Sequence, residues 1–226
     1  MQFLQAIVLG VVQGLTEFIP VSSSGHLLLF EKLMGWNCEE MTFDIAVHWG
    51  TLVAVLSFFW HDWTSIATSF ARRIFRRIPY EQQPDGSRMG RLALPIIVAT
   101  VPAAVIGYKF DSQIEGMRDR PWMLAVVATA LIVVAVVMLL AERVGQKKRA
   151  MGQMTYADYI VIGFAQALAL IPGVSRSGAT ISAGLFRGLD RGSAARFSFL
   201  LSTPVIFGAG LVQLIKSVLE SGLPEG

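Results

Sequence analysis

Long apolar runs alternate with short polar stretches along this 226-residue chain. Residues 1–18 are apolar and helical in character, and the run breaks at Ile19-Pro20. Residues 26–35 resume as a short apolar helix. Neither piece is a convincing span, because a membrane helix needs about 20 apolar residues. Together they predict a re-entrant hairpin, helix–loop–helix, with a Ser-rich loop at its tip. A polar connector follows over 36–42, then a span over 43–61 with Asp44 and His48 near its start. Residues 64–78 interleave Arg72, Arg73, Arg76 and Arg77 with Phe70, Ile74, Phe75 and Ile78. That pattern predicts a basic amphipathic helix lying on a membrane surface. Pro84, Asp85 and Gly86 mark a loop. Residues 92–108 are predicted as a span kinked by Pro95 and Pro102. A mixed-charge loop covers 109–120, the cleanest span 121–141, and a basic stretch 142–156. Residues 157–187 repeat the hairpin, with a break at Pro172-Gly173 and a second helix from about Thr180. A last span is predicted over 193–216.

The two hairpins are related. Shifted by 153 positions, residues 7–25 fall on 160–178 with nine identities in nineteen positions and no gap. Among them are Gly10 and Gly163, Gln13 and Gln166, and the Ser-x-Ser-Gly of 22–25 and 175–178. Broken helices in an internal repeat are a signature of membrane proteins whose site lies between two related halves. The copies differ where chemistry would sit: Glu17 faces Leu170, Ser23 faces Arg176, and His26 faces Ala179.

Composition agrees with a membrane chain. It is 54% hydrophobic and 15% charged, where a soluble domain has about 25% charged residues. The single cysteine, Cys38, excludes an intrachain disulfide and a multi-Cys metal site, and reads as small filler. The start Met1-Gln2-Phe3 lacks a basic n-region, so no cleavable signal peptide is expected. The net charge of +3 sits in short loops and is a topology signal, not a nucleic-acid patch. Loops 62–91 and 142–156 hold ten Lys and Arg; the opposite-side segments 27–42, 109–120 and the tail from Lys216 hold five. The positive-inside rule places the first set in the cytoplasm. The hairpins then enter from opposite sides, as an inverted repeat requires.

One membrane domain over 1–226 is expected. Its first repeat is 1–141, with the hairpin 1–35, and its incomplete second repeat is 157–226, with the hairpin 157–187. The first half has three spans after its hairpin and the second has one. Two C-terminal spans of a complete repeat are therefore expected to be absent.

The candidate chemistry lies at the two breaks. Glu17, near the end of an apolar helix, is a structural ion-pair member, a general base or a ligand for a hard cation. Gln13, one turn earlier, lies on the same face and offers a neutral oxygen to that cation, or orients Glu17. His26 is a candidate to take a proton from Ser23 with Glu17 orienting it, or to attack phosphorus itself. Ser22, Ser23 and Ser24 read as helix caps, Ser24 being the expected one, while their N–H groups form a phosphate cradle. Arg176, between Ser175 and Ser177, suits bidentate phosphate recognition; its alternative is snorkelling to the interface. Arg187, Arg191 and Arg196 follow the second hairpin, and at least two are expected at the cytoplasmic interface.

Gln-x-x-x-Glu over 13–17, Pro-Val-Ser-Ser-Ser-Gly-His over 20–26 and Pro-Gly-Val-Ser-Arg-Ser-Gly-Ala-Thr over 172–180 resemble the undecaprenyl-diphosphate phosphatase family of the bacitracin-resistance type. The resemblance covers residues 1 to about 216, including Phe197-Ser198-Phe199-Leu200-Leu201. It implies an all-α, multi-pass enzyme of the bacterial inner membrane. That enzyme hydrolyses undecaprenyl diphosphate to undecaprenyl phosphate, recycles the lipid carrier of cell-wall synthesis and confers bacitracin resistance. It implies catalytic roles for Glu17, Ser23, His26 and Arg176; the residues around them, Ser22, Ser24, Gly25, Ser175, Ser177 and Thr180, are expected to contact substrate. It also implies a divalent cation, Mg²⁺ or Ca²⁺, at Glu17 and Gln13. Many members carry Glu where this chain has Gln13, so cation binding would rest more on Glu17 and the phosphates. The expected partners are an isoprenyl diphosphate lipid and membrane lipids, without nucleic acid; the sequence leaves a homodimer open. Two other readings compete. One is a transporter that flips an anionic isoprenyl phosphate lipid, since inverted repeats with broken helices are transporter architecture. The other is an inactive truncated homologue.

Overall fold

The computed structural model describes residues 3–36, 41–80, 89–116 and 120–221. Cys38, the turn 84–86 and both chain termini lie outside the described residues. Within them the chain is helical, with no named strand: α1 Phe3–Phe18, α2 Ser23–Met34, α3 Met41–Phe58, α4 Trp60–Phe75, α5 Ala93–Glu115, α6 Met123–Val144, α7 Tyr156–Leu168, α8 Arg176–Phe186 and α9 Arg191–Ser221. Among the described residues three segments are long and apolar enough to cross a membrane: Gly90–Phe110, Met123–Val144 and Arg191–Lys216. Phe3–Phe18 and Ala46–Phe58 are shorter apolar helices.

α1–α2 and α7–α8 are helix–turn–helix pairs, with boundaries displaced from those expected. The second helices start earlier than expected: α2 at Ser23 instead of 26, and α8 at Arg176 instead of Thr180. The reason is the cap. Ser22 Oγ accepts from Gly25 N at 3.4 Å, and Ser175 Oγ accepts from Gly178 N at 3.0 Å. A serine that satisfies an orphan first-turn amide sets the helix start, whatever the polarity of the turn it opens. Ser22, not Ser24, is therefore the cap.

Other edges move for similar local reasons. Pro95 lies in the first turn of α5, where a missing N–H breaks no helical bond, and Pro102 alone is interior. α5 continues to Glu115, through part of the predicted 109–120 loop. α4 starts at Trp60 and stops at Phe75; Arg76 is its C-cap, and Arg77 turns to φ 53° outside it.

The apolar side chains divide into interior and exterior. Ile96, Ala99, Ile162, Phe197, Leu200 and Leu201 form the main core, between α5, α7 and α9. Leu4, Ile7, Val11 and Leu15 form an exposed stripe on α1 at three- and four-residue spacing. On a chain with spanning helices such a stripe suits hydrocarbon.

Three close approaches position these helix pairs. A Cβ on Gly163 would lie 2.6 Å from the carbonyl oxygen of Ala99, so α7 sits backbone-to-backbone against α5. α6 is the common wall. A Cβ on Gly173 would meet Val127 Cα at 2.7 Å, and one on Gly25 would meet Val127 Cγ1 at 3.2 Å. One valine thus sits against the turn of the second hairpin and the second helix of the first.

Candidate functional site

α1 ends at Phe18 and delivers Glu17 to the first break. α8 opens at Arg176 and delivers its guanidinium to the second. The fold joins them: Arg176 Nη2 donates to Glu17 Oε1 at 3.1 Å, across 159 positions of sequence. Both side chains are largely buried, at 12% and 10% exposure. A buried ion pair must offset two desolvation costs, so its other hydrogen bonds matter. Glu17 Oε2 accepts from Ser23 Oγ at 2.6 Å and from Gln13 Nε2 at 3.3 Å. Arg176 Nη1 donates to the Ser198 carbonyl at 3.2 Å. Thr180 ties the same elements together, its Oγ1 lying 2.6 Å from Ser198 Oγ.

Gln13, Glu17, Ser23 and Arg176 thus form one connected cluster. His26 is arranged differently from the triad expectation. Its Nδ1 lies 2.8 Å from the Ser22 carbonyl oxygen. A carbonyl only accepts, so Nδ1 carries the proton and Nε2 keeps a lone pair in the neutral ring. Glu17 holds Ser23 and does not orient His26. Its oxygens accept from Ser23, Gln13 and Arg176.

The remaining candidates build the two caps. Ser22 and Ser24 hydroxyls are 3.3 Å apart; Ser175 and Ser177 hydroxyls are 3.2 Å apart. Ser24 is exposed, whereas Ser22, Gly25, Ser175, Ser177 and Thr180 are buried. The first-turn N–H groups of α2 and α8 lack intrahelical acceptors and suit an anion.

The structure adds residues that sequence reasoning passed over. Ser198 carries the carbonyl that holds Arg176; it stood inside a segment with no role assigned. His48 of α3 is close enough for an electrostatic interaction with Glu17. Phe18 stacks edge-on to Phe199, centroids 6.0 Å apart, beside the cluster. The arginines after the second hairpin all have acidic partners: Arg187 with Asp158, Arg191 with Glu142, and Arg196 with Asp62. Asp158, fully buried at the start of α7, also takes Arg149 Nη2 at 2.7 Å and Thr155 N at 2.7 Å. Burial alone would raise its pKa, but the bonds from Arg149, Thr155 and Arg187 hold it well below the usual carboxylate range.

For a divalent cation the donor set is small. Among the described residues no three His, Cys, Asp or Glu side chains cluster. Glu17 supplies one carboxylate, and Gln13 Oε1 is buried without a hydrogen-bond partner. Mg²⁺ often takes only one or two carboxylates and completes its shell with water and substrate phosphates, so these two residues fit.

Among the described residues, three spanning-length helices and a largely buried polar cluster between the α1–α2 and α7–α8 turns define a membrane protein with an interior polar site. The family described as bacitracin resistance protein BacA matches residues 6–224, and the chain belongs to that family. An undecaprenyl-diphosphatase of Rubrobacter xylanophilus is 49% identical over 225 residues, covering 99% of this chain and 79% of that protein. One from Desulforudis audaxviator is 44% identical over 219 residues, covering 97% and 78%. One from Chlorobaculum parvum is 45% identical over 225 residues, covering 96% and 77%.

Proposed function

We propose that this chain hydrolyses undecaprenyl diphosphate to undecaprenyl phosphate and inorganic phosphate, as a multi-pass enzyme of the bacterial inner membrane. The observation that carries the reading is the contact of Glu17 with both Ser23 and Arg176. The names of the relatives support the substrate and do not favour a flippase.

The α1–α2 and α7–α8 pairs act as inverted re-entrant hairpins whose tips meet in the membrane interior. The head group lies between the tips, its lipid tail between helices. Arg176 leaves Glu17 for the terminal phosphate, since a bidentate guanidinium–phosphate pair neutralises more charge than the carboxylate does. That frees Glu17 to act as base. Glu17 Oε2 takes the Ser23 proton as Ser23 Oγ attacks the terminal phosphorus. The bridging P–O bond breaks, and undecaprenyl phosphate leaves. A water then attacks that phosphorus, and Ser23 Oγ leaves with the proton held by Glu17, which releases inorganic phosphate. His26 Nε2, on the turn after Ser23, holds the proton of that water. Ser22, Ser24, Gly25, Ser175, Ser177 and Thr180 shape the anion cradle. Gln13 and Glu17 would hold a Mg²⁺ or Ca²⁺ ion, which supplies charge neutralisation at the phosphates when bound. Positioning and neutralisation account for most of phosphoryl-transfer catalysis.

The test is phosphate release from undecaprenyl diphosphate in detergent, with Mg²⁺, with Ca²⁺ and with EDTA, for wild type and Glu17→Ala. Release that needs Glu17 supports the reading, and its loss in EDTA supports the cation. Folded protein that binds the lipid without release would sink it and favour a carrier.

A further inference from the structure

Several buried polar side chains play no part in that mechanism, and Gln166 is the one whose amide is unbonded at both ends. Gln166 is 2% exposed, and neither Oε1 nor Nε2 of its amide has a hydrogen-bond partner. An amide buried with both ends unbonded is among the more costly groups a core can hold. Native interiors rarely keep one without a use for it.

Its place in the chain says what the use is. Gln166 stands 153 positions after Gln13. Gln13, 1% exposed, donates its Nε2 to Glu17 Oε2, the oxygen that also takes Ser23. In the first copy, then, an amide at this helix position reaches the polar centre of its own tip. The second tip has the same build: the same serine cap onto the same glycine, and the same pair of serine hydroxyls. What differs is the acceptor. Leu170 occupies the place of Glu17, and Arg176 the place of Ser23. The second copy supplies an amide donor and a guanidinium, and no anion of its own.

α7 is also held against turning its glutamine away. Gly163, one turn earlier, lies against the Ala99 backbone with no room for a Cβ. Phe164 and Leu168, on the opposite side of α7, are 57% and 56% exposed.

We propose that Gln166 is a substrate-binding residue, whose Nε2 donates a hydrogen bond to an anionic oxygen of the diphosphate beside Arg176. In each copy, then, an amide donates to an anion: a carboxylate in the first, the substrate in the second. The inference rests on the phosphatase reading of the same site.

The test compares Gln166→Leu, Gln166→Met and Gln166→Glu with wild type in the full chain. Phosphate release gives kcat and KM. A thermal shift with a methylene-bridged isoprenyl diphosphonate reads binding without turnover. Leu and Met keep the volume and remove the unbonded amide, so the melting temperature should hold or rise. Release should nonetheless fall at least tenfold in kcat/KM, chiefly through KM, and the shift given by the diphosphonate should shrink. Gln166→Glu places a negative charge against the diphosphate and should raise KM further. Gln166→Leu within twofold of wild-type kcat/KM would overturn the proposal. So would a lowered melting temperature with lost kcat and unchanged KM, the mark of a structural role. Wild type that releases no phosphate defeats the phosphatase reading itself, and the diphosphonate shift then judges Gln166 alone.

Discussion

Ser22 caps α2 and Ser175 caps α8 by the same hydrogen bond, yet the residue after each cap is Ser23 in one and Arg176 in the other. The scaffold is shared and the chemistry is divided. The first tip holds the carboxylate, the hydroxyl and the imidazole; the second holds the guanidinium. The turns also differ in how they reach the cap. Ser22 itself takes φ 66°, a left-handed conformation costly for a residue with a side chain, while Ser175 is at φ −67° and Gly173 takes the positive φ instead. Strain sits on the tip that carries the proposed nucleophile. The second tip places its turn on a glycine and packs it against α6.

The largest test of this division is Arg176→Ala. It removes the only guanidinium in the described cluster and should lower turnover by about 100-fold or more, since transition-state charge stabilisers are typically worth that much. A variant keeping more than a tenth of the wild-type rate would end the assignment. The double variant with Glu17→Ala should be far from additive, because either change alone leaves an unpaired buried charge.

The glycines give the next contrast. Gly163→Ala forces a methyl onto the Ala99 backbone and should cost about 1–3 kcal/mol. Gly10→Ala, at the corresponding place in α1, meets nothing within 4 Å and should be neutral or stabilising by up to about 1 kcal/mol. Equal effects in thermal denaturation would show that the two first helices are packed alike after all.

The caps come third. Ser175→Ala should cost about 1 kcal/mol. Ser22→Gly should cost nothing or stabilise, because glycine accepts the positive φ at no penalty and the lost cap bond is long, at 3.4 Å. Melting temperatures of the two variants decide it.

The smallest effect is one of pH. The Asp158 carboxyl has its folded-state pKa depressed, so its contribution is complete above the unfolded value, near 3.8, and is lost as pH falls below that. The stability gap between wild type and Asp158→Asn should stay constant from pH 8 to pH 5 and close only in stronger acid. A gap that closes between pH 7 and pH 5 would mean that Arg149 and Arg187 do not hold the carboxylate as described.

Much of the site was legible one tip at a time. Gln13, Glu17, Ser23 and Arg176 each stand out as polar groups in apolar runs, and the repeat marks both places. The Glu17–Arg176 contact was not legible, because nothing local in residues 159 apart encodes their distance. The orientation of His26 differs from the triad expectation for a local reason: its Nδ1 bonds the backbone carbonyl four residues back. Helix starts were set too late because the apolar pattern begins after the cap. Ser198 was missed because its contribution is a main-chain oxygen, available at any residue.

Periodicity and apolar run length determined the helices and the membrane class, since both follow from local burial. The 153-residue offset determined that two equivalent tips exist. Only the tertiary structure decided that they meet, through the packing of α6 against Gly25 and Gly173, and that the first tip's carboxylate pairs with the second tip's guanidinium. Ionic and hydrogen-bonded contacts act over about 3 Å. Pairing at that range depends on where whole helices pack, which no single stretch of sequence specifies.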